Sequence, residues 1–246
     1  MKLSIVIPVL DSHEVVRRQL LHFERVGLPS DTELILVDDG SAPPIENTSS
    51  LSVTIHCTHD KRPWTWALAR NAGARLATGE YLLMYDLDHV ASRELIEFVR
   101  ECDGPRVQFV REFGVLDENG VLTQDRDVLL SHGLAKEKAL GVGPHPNMFA
   151  MKREVFWRIG GYREDLVTRS YPQGEDRLFK KAWHNYSREA GAQNNTIRPK
   201  LYVFPSGKLI GDVDADPQKL FHGLSRKTHR NHWYKEQLRK EKNAQG

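Results

Sequence analysis

Residues 80–88 are EYLLMYDLD, a stretch in which five apolar or aromatic residues run directly into the acids Asp86 and Asp88. The apolar run predicts a buried β-strand. Two carboxylates cannot stay unpaired inside such a strand, because their desolvation costs too much free energy. We therefore expect both acids at the C-terminal edge of the strand, where open α/β sheets bind ligands. A hard divalent cation with phosphate oxygens would suit two oxygen ligands there.

This strand belongs to an alternation of strands and helices over residues 3–101. Further strands are predicted at 3–9, 33–37 and 53–57, and helices at 13–26, 65–77 and 92–101. Ser12 is expected to cap the first helix. The alternation predicts an α/β fold with a single Rossmann-like, mostly parallel sheet flanked by helices. Asp38 and Asp39 end the second strand, so this topology would bring two acidic pairs to one edge of the sheet.

The second half of the chain is less regular. Strands at 107–113 and 121–123 flank an Asn-Gly pair, which predicts a hairpin. Residues 124–146 are expected to be irregular, a loop over a site. The remaining predicted elements are a strand at 147–151, helices at 154–159 and 175–185, a strand at 201–204 and basic helices within 216–242.

Composition and charge narrow the class of protein. The chain is 39% hydrophobic and 28% charged, as in soluble globular proteins. No apolar run approaches the roughly 20 residues of a membrane span. Cys57 and Cys102 are too few for a disulfide framework, so we expect a reducing, cytoplasmic setting.

The net charge of +2 is unevenly distributed along the chain. Residues 219–246 carry eight Lys or Arg and two Asp or Glu, which leaves 27 basic and 31 acidic residues elsewhere. A basic tail on a slightly acidic body favours an anionic partner. A solvated helix with charge pairs four residues apart is the alternative.

Six short motifs follow one another along the chain: SIVIP at 4–8, VDDGS at 37–41, ARNAG at 69–73, GEY at 79–81, DLD at 86–88 and GED at 174–176. They occur in the order seen in family 2 glycosyltransferases, and the chain resembles that family over roughly residues 3–186. A lone Asp-x-Asp is common by chance, whereas the ordered set is specific. GGYRED at 160–165, followed by GEDRLF, is also similar to the C-terminal motif of galactosyltransferase-like enzymes.

The resemblance implies the A-type glycosyltransferase fold and a hexosyltransferase-like activity. A sugar would move from a nucleotide-sugar donor, usually a UDP-sugar, to a glycan or other hydroxyl acceptor with inversion at the anomeric carbon. Mn²⁺ or Mg²⁺ would be the usual metal. On this interpretation residues 1–214 form the catalytic domain, and residues 215–246 form a basic helical extension packed on or over the donor site.

The resemblance also implies which residues bind the nucleotide. Asp39 would accept a hydrogen bond from the donor base, and Asp38 beside it would hold the ribose or the loop. An Asx turn at Asp-Gly-Ser is the structural alternative. Pro8 and Arg70 belong to the same predicted donor site, although Arg70 alone could equally be a surface helix residue.

The metal and diphosphate ligands are predicted in two parts of the chain. Asp88 is the expected direct metal ligand, and Asp86 would contact the ribose, or the metal through water. One of these acids could instead cap the helix near Ser92. In related enzymes a late histidine completes the metal site, which maps to His222 and would favour manganese. The predicted diphosphate-binding cations are Arg226, Lys227 and Arg230.

Inversion requires a general base that takes the proton of the acceptor hydroxyl. The GED motif supplies two carboxylates at a helix start, where the helix dipole favours the ionised form. In the family the acid after Glu is the base, which maps to Asp176, and Glu175 would orient the acceptor or a loop. Both acids could instead simply stabilise the first helical turn. His145 and Asn147 are expected to face the acceptor.

Two other functions remain open at this point. Basic residues interleaved with aromatics over 226–235 could bind nucleic acid, so the acceptor could be a modified DNA base. Because a fold alone does not establish activity, a non-catalytic nucleotide-sugar or glycan-binding module is the other. The presence of both a metal-binding acid and a candidate base favours the enzyme.

Overall fold

The computed structural model describes residues 1–60, 65–165, 175–192 and 195–205, of which residues 195–199 are described by their backbone alone. Its strands are β1 Leu3–Val9, β2 Thr32–Asp38, β3 Val53–Cys57, β4 Tyr81–Met84, β5 His89–Ala91, β6 Arg106–Phe113, β7 Val115–Leu116, β8 Leu122–Thr123, β9 Gly141–Val142, β10 Phe149–Lys152 and β11 Asn195–Val203. Its helices are α1 His13–Val26, α2 Trp66–Leu76, α3 Arg93–Glu101, α4 Arg126–Ser131, α5 Arg153–Arg158 and α6 Glu175–Glu189.

Nine strands of the described residues form one mixed sheet, in the order β3-β2-β1-β4-β10-β6-β11-β5 with β9 paired to β6. The predicted α/β fold is confirmed. Parallel pairing holds across β3, β2, β1 and β4, and again between β6 and β11. Strand β10 runs antiparallel to both β4 and β6, and β5 runs antiparallel to β11. The parallel half contains the strands whose ends carry the acidic pairs.

Helices cover both faces of the sheet and give it two cores. Ile5 and Ile7 of β1 pack with residues of α1 and α3 in the first core. Val6 of the same strand packs with residues of α2, α5 and α6 in the second core. A strand that is buried on both faces needs a nearly continuous apolar run, which is why β1 and β4 were visible in the sequence.

Helix α1 has the predicted bounds, but its first turn is not capped as predicted. Ser12 has a left-handed backbone with φ of 51°, and its side chain makes no capping bond. The hydroxyl instead donates to the carbonyl oxygen of Leu10 at 3.1 Å. The capping prediction was therefore wrong, because the chain turns sharply at Asp11 and Ser12 to leave the sheet.

The predicted hairpin pairs different strands from those expected. Its turn lies at Asp117 to Gly120 as predicted, but β8 pairs with β7 rather than with β6. Strand β6 is not available to it, because β10 and β9 pair with it on one side and β11 on the other. Residues 124–146 also contain more structure than expected, namely α4 and β9. Helix α4 is capped by Asp125, whose carboxylate accepts from two backbone N–H groups at 3.0 Å.

No helix within the described ranges combines the length and apolar character needed to cross a membrane. The predicted boundary at residue 214 and the basic extension at 215–246 lie outside the described residues.

The close contact between α2 and β1 generates a first prediction. A Cβ at Gly73 would lie 2.3 Å from Cγ1 of Val6 and 3.0 Å from Cγ2 of Val37. Both valines are fully buried and stiff at χ1, so they cannot move aside. We expect Gly73→Ala to lower the free energy of unfolding in urea by about 1–3 kcal/mol, despite the better helix propensity of alanine. Gly104→Ala is the control, because its Cβ would meet nothing within 4 Å. Equal stability of the two variants would contradict the close contact.

Candidate active site

The acidic pairs lie at the same edge of the sheet. Strands β2 and β4 run parallel to β1 on either side of it, so their C-terminal ends point the same way. Asp38 ends β2, and Asp86 follows β4 after one intervening residue. Pro8 lies in β1 beside Val37 of β2, close to the same edge. The structure thus brings together acids that are separated by almost fifty positions in the chain.

Asp38 holds the loop that follows β2. It is fully buried, and its carboxylate accepts backbone N–H bonds from Ser41 at 2.7 Å and from Ile45 at 2.9 Å. Asp38 was predicted to hold either the ribose or the loop, and these two contacts are with the loop. Asp11, which sequence reasoning missed, holds the same loop by accepting from the N–H of Ala42 at 3.1 Å. It follows β1, the third strand with an acid at this edge, and that pattern could have revealed it.

Asp39 is oriented by the start of α2. It is 1% exposed, and one carboxylate oxygen accepts a 2.5 Å hydrogen bond from the hydroxyl of Thr65, the residue before α2. The hydroxyl of Thr58 lies 3.5 Å from the other carboxylate oxygen. The backbone N–H of Asp39 donates to the carbonyl of Val9 in β1 at 2.7 Å. The side chain and backbone of Asp39 are therefore both held by neighbouring groups of the protein.

Arg70 on α2 is a buried cation between two carboxylates. It is 2% exposed; its Nη1 donates to Glu175 at 2.8 Å, and its Nη2 donates to Asp86. Its guanidinium also lies over the ring of Tyr162, 5.2 Å from the ring centroid. Burial alone would lower the pKa of Arg70, but the neighbouring Asp86, Tyr162 and Glu175 outweigh it and raise that pKa. Arg70 thus joins the end of β4 to the start of α6.

Asp88 is held by a chain of hydrogen bonds that begins at Arg111. Nη1 of Arg111 lies 3.0 Å from Nε2 of His89, and Nδ1 of His89 lies 2.6 Å from a carboxylate oxygen of Asp88. Because a guanidinium can only donate, Nε2 accepts, and the proton on Nδ1 is donated to Asp88. Burial opposes ionisation of Asp88, but His89 and Arg111 outweigh it and lower the pKa of this acid. Sequence reasoning missed both His89 and Arg111.

The start of α6 completes the described site. Glu175 is 7% exposed and is held by Arg70, whereas Asp176 is only half-buried and accepts a bond from the N–H of Arg177 at 2.8 Å. Asn147, 6% exposed, lies close by and accepts a 3.0 Å bond from the hydroxyl of Tyr162. Glu175 and Asp176, for which different roles were predicted, therefore also differ physically. Glu175 is buried and paired, whereas Asp176 is more accessible.

Asp86 and Asp88 have the chemistry of cation ligands. Their side chains are 36% and 46% exposed, and carboxylate oxygens suit Mg²⁺ and Mn²⁺. Among the residues that the structure describes, no group of three His, Cys, Asp or Glu could hold a metal ion. The two acids therefore supply oxygen ligands that suit such a cation, but the described residues do not complete a metal site.

Several predicted site residues lie outside the described ranges, and their roles stay predictions. They are His222, the cations Arg226, Lys227 and Arg230, and the aromatic segment that motivated a nucleic-acid acceptor.

Comparisons with known proteins agree with this fold. The model of the family "Glycosyl transferase family 2" matches residues 4–160. A search of curated proteins found no match. Among solved structures, S. aureus TarS matches with a TM-score of 0.53 and 18% identity, over 82% of this chain and 36% of that chain. A mannosyltransferase, PcManGT from Pyrobaculum calidifontis in complex with GDP-Man and Mn²⁺, matches with a TM-score of 0.50 and 19% identity, over 82% of this chain and 56% of that chain.

These identities support a likeness of fold alone. The chain spans between about a third and just over half of the length of the solved structures it matches.

The buried Arg70 generates the second prediction. Arg70→Met would leave Glu175 buried without the Arg70 charge, and breaking a buried pair in this way typically costs about 3–5 kcal/mol of unfolding free energy. Arg75 on the same helix pairs with Glu164 at the surface, where it is 55% exposed. We expect Arg75→Met to cost only about 0–1 kcal/mol. Urea unfolding at pH 7 measures both, and equal losses would contradict the role of Arg70 as the buried link.

Proposed function

The chain belongs to glycosyl transferase family 2, and on that premise we propose that it moves a sugar from a nucleotide-diphosphate sugar to an acceptor hydroxyl. The observation that carries the proposal is the meeting of three groups at one sheet edge. They are the buried acid Asp39, the half-exposed pair Asp86 and Asp88, and the accessible acid Asp176 on α6. Such an edge is where open α/β sheets bind nucleotides.

The nucleotide is assigned to the end of β2. Asp39 is a fixed carboxylate that can accept the imide N–H of uracil, so we propose a UDP-sugar as the donor. Asp38 and Asp11 hold the loop beside it. That PcManGT was solved with GDP-Man and Mn²⁺ supports a nucleotide sugar in general, although a guanine donor would offer Asp39 a similar N–H. The resemblance of GGYRED to galactosyltransferase-like enzymes stays a prediction.

The diphosphate is assigned to the end of β4. Asp88, with Asp86, would hold a Mn²⁺ or Mg²⁺ ion there, and when bound such an ion supplies Lewis-acid stabilisation of charge on the leaving diphosphate. The bond from His89 engages one oxygen of Asp88 and orients the carboxylate. Carboxylates that bind metal ions are commonly held by such outer hydrogen bonds.

The proposed reaction is a single displacement at the anomeric carbon. Asp176 takes the proton of the acceptor hydroxyl, and the hydroxyl oxygen forms a bond to the anomeric carbon. The bond from that carbon to the phosphate oxygen breaks, and its electron pair leaves with the diphosphate. Glu175 is the orienting acid, because it is buried and held by Arg70. Asp176 is better suited as the base, because its side chain is accessible.

The third prediction concerns donor and metal. Purified protein is incubated with UDP-glucose, UDP-galactose, UDP-N-acetylglucosamine or GDP-mannose, with Mn²⁺, Mg²⁺ or EDTA. We expect slow hydrolysis of at least one UDP-sugar that requires a divalent ion and is lost in EDTA. For an α-linked donor, proton NMR should detect the β-anomer of the free sugar first. The absence of both hydrolysis and a thermal shift with every donor would overturn the proposed function. Full activity in EDTA would overturn the role of the metal.

The fourth prediction concerns the base. Asp176→Asn should lower the rate of donor hydrolysis by about 10²–10⁴-fold, the usual contribution of a general base, and leave the donor Kd unchanged. Glu189→Gln, at the exposed end of the same helix, is the matched control and should keep the wild-type rate. Undiminished turnover in Asp176→Asn would rule out Asp176 as the base. Donor binding without turnover in the wild-type protein would instead indicate a non-catalytic binding module.

A further inference from the structure

The segment 143–147, between β9 and β10, is held to the sheet through its backbone carbonyl groups. Three side chains of β6 donate hydrogen bonds to carbonyl oxygens of this segment. The donors are Arg111 to Gly143 at 2.8 Å, Gln108 to His145 at 3.2 Å and Arg106 to Pro146 at 3.0 Å. Two of its residues are prolines with restricted φ. The segment is therefore rigid where an ordinary surface loop would be adaptable.

Arg106, one of these three donors, is itself buried and tightly packed. It is 2% exposed, and its guanidinium lies over the rings of Phe149 and Trp183 at 5.0 and 5.3 Å from their centroids. Burial lowers the pKa of Arg106 to about 10, so it is still a cation at neutral pH. A charged group enclosed by aromatic rings is costly to place and has little freedom to move. Its contact with the Pro146 carbonyl fixes the end of the segment that precedes β10.

The imidazole of His145 is oriented by the same segment. The backbone N–H of Asn147 points to Nδ1 of His145 at 3.3 Å. Nδ1 must therefore carry a lone pair, and a neutral ring then carries its proton on Nε2. Burial favours the same neutral form by lowering the pKa of His145, which Asp86 opposes. Asn147 is itself held by the hydroxyl of Tyr162. Within the described part of the chain, no group accepts the proton on Nε2.

The segment that carries His145 lies beside both ends of the proposed reaction. Met148, which directly follows the segment, contacts the end of β4, because the backbone N–H of Asp86 lies 3.3 Å from its Sδ atom. Asn147 is bonded to Tyr162, whose ring lies against the Arg70 guanidinium that bonds Glu175 at the start of α6. The transferred sugar must lie between these two ends, because its anomeric carbon is bonded to the diphosphate on one side and attacked on the other. The segment that carries the half-buried His145 contacts both ends and is therefore beside the sugar.

We propose that His145 is a specificity-determining residue whose Nε2–H donates a hydrogen bond to a hydroxyl oxygen of the transferred sugar. The proposal rests on the proposed function and adds to it a contact with the sugar rather than with the nucleotide. A site that is built to donate a hydrogen bond to one hydroxyl discriminates against sugars that lack a matching oxygen. The rigid 143–147 segment supplies the fixed direction that such discrimination needs.

The fifth prediction tests this contact by comparing sugar nucleotides with their parent nucleotides. Calorimetry with Mn²⁺ gives Kd for UDP-glucose, UDP-galactose, UDP-N-acetylglucosamine and GDP-mannose, and for UDP and GDP alone. For the donor that wild-type protein binds, His145→Ala should weaken binding about tenfold, and binding of the parent nucleotide should not change. His145→Gln should recover most of the affinity, because its amide nitrogen can replace Nε2–H. His184→Ala, an exposed histidine on α6, is the matched control.

The outcomes separate this inference from the function on which it rests. If wild-type protein binds neither sugar nucleotides nor nucleotides, the proposed function fails. If it binds them but His145→Ala changes neither Kd, or weakens sugar nucleotide and nucleotide equally, the sugar contact is wrong. Urea unfolding checks that the variants are folded. Should His145→Ala not fold, His145→Asn replaces it, since asparagine is too short to place a donor at the Nε2 position; equal donor Kd values for His145→Gln and His145→Asn would then overturn the proposal.

Discussion

The candidate site depends on one buried guanidinium. Arg70 lies on α2, but its two hydrogen-bonded carboxylates, Asp86 and Glu175, come from the end of β4 and the start of α6. Arginine suits this position because it stays charged when buried and presents a planar fork to two acceptors. Without its charge, Glu175 would be a buried anion without that cation, and the start of α6 would lose its link to the sheet. The placement of the proposed base on that helix therefore depends on the ion pair between Arg70 and Glu175, which positions the base without taking a proton itself.

Other candidate residues are also held in place by hydrogen bonds from neighbouring side chains. Thr65 orients Asp39, His89 orients Asp88, and Tyr162 orients Asn147. These supporting bonds are all made between groups of the protein itself. Preorganised polar groups are what a site needs to stabilise charge that develops during a reaction, because they do not have to reorganise at that moment. The described site thus has the preorganised polar groups that the proposed reaction requires.

Much of the fold could be predicted because its central strands are apolar throughout and its helices are amphipathic. Strand β1, helix α1 and strand β3 have the predicted bounds. The elements that were missed or misassigned are short and depend on pairing with distant residues. Strand β5 has three residues and exists because β11 pairs with it, and β8 pairs with β7 because both edges of β6 are occupied. Local pattern contains no information about such competition between partners.

The candidate site, like the fold, was only partly predictable from the sequence. The sequence alone determined which acids end strands, because buried apolar runs cannot continue through Asp38 or Asp86, and it placed Glu175 and Asp176 at a helix start. Only the tertiary structure decided what each acid does for its neighbours: that Asp38 holds a loop, that Arg70 links two elements, and that Arg111 acts on Asp88 through His89. The reason is that hydrogen bonds between side chains are set by distances and angles across the packed core. Those distances arise from the folding of segments that lie far apart in the chain, which no local pattern encodes.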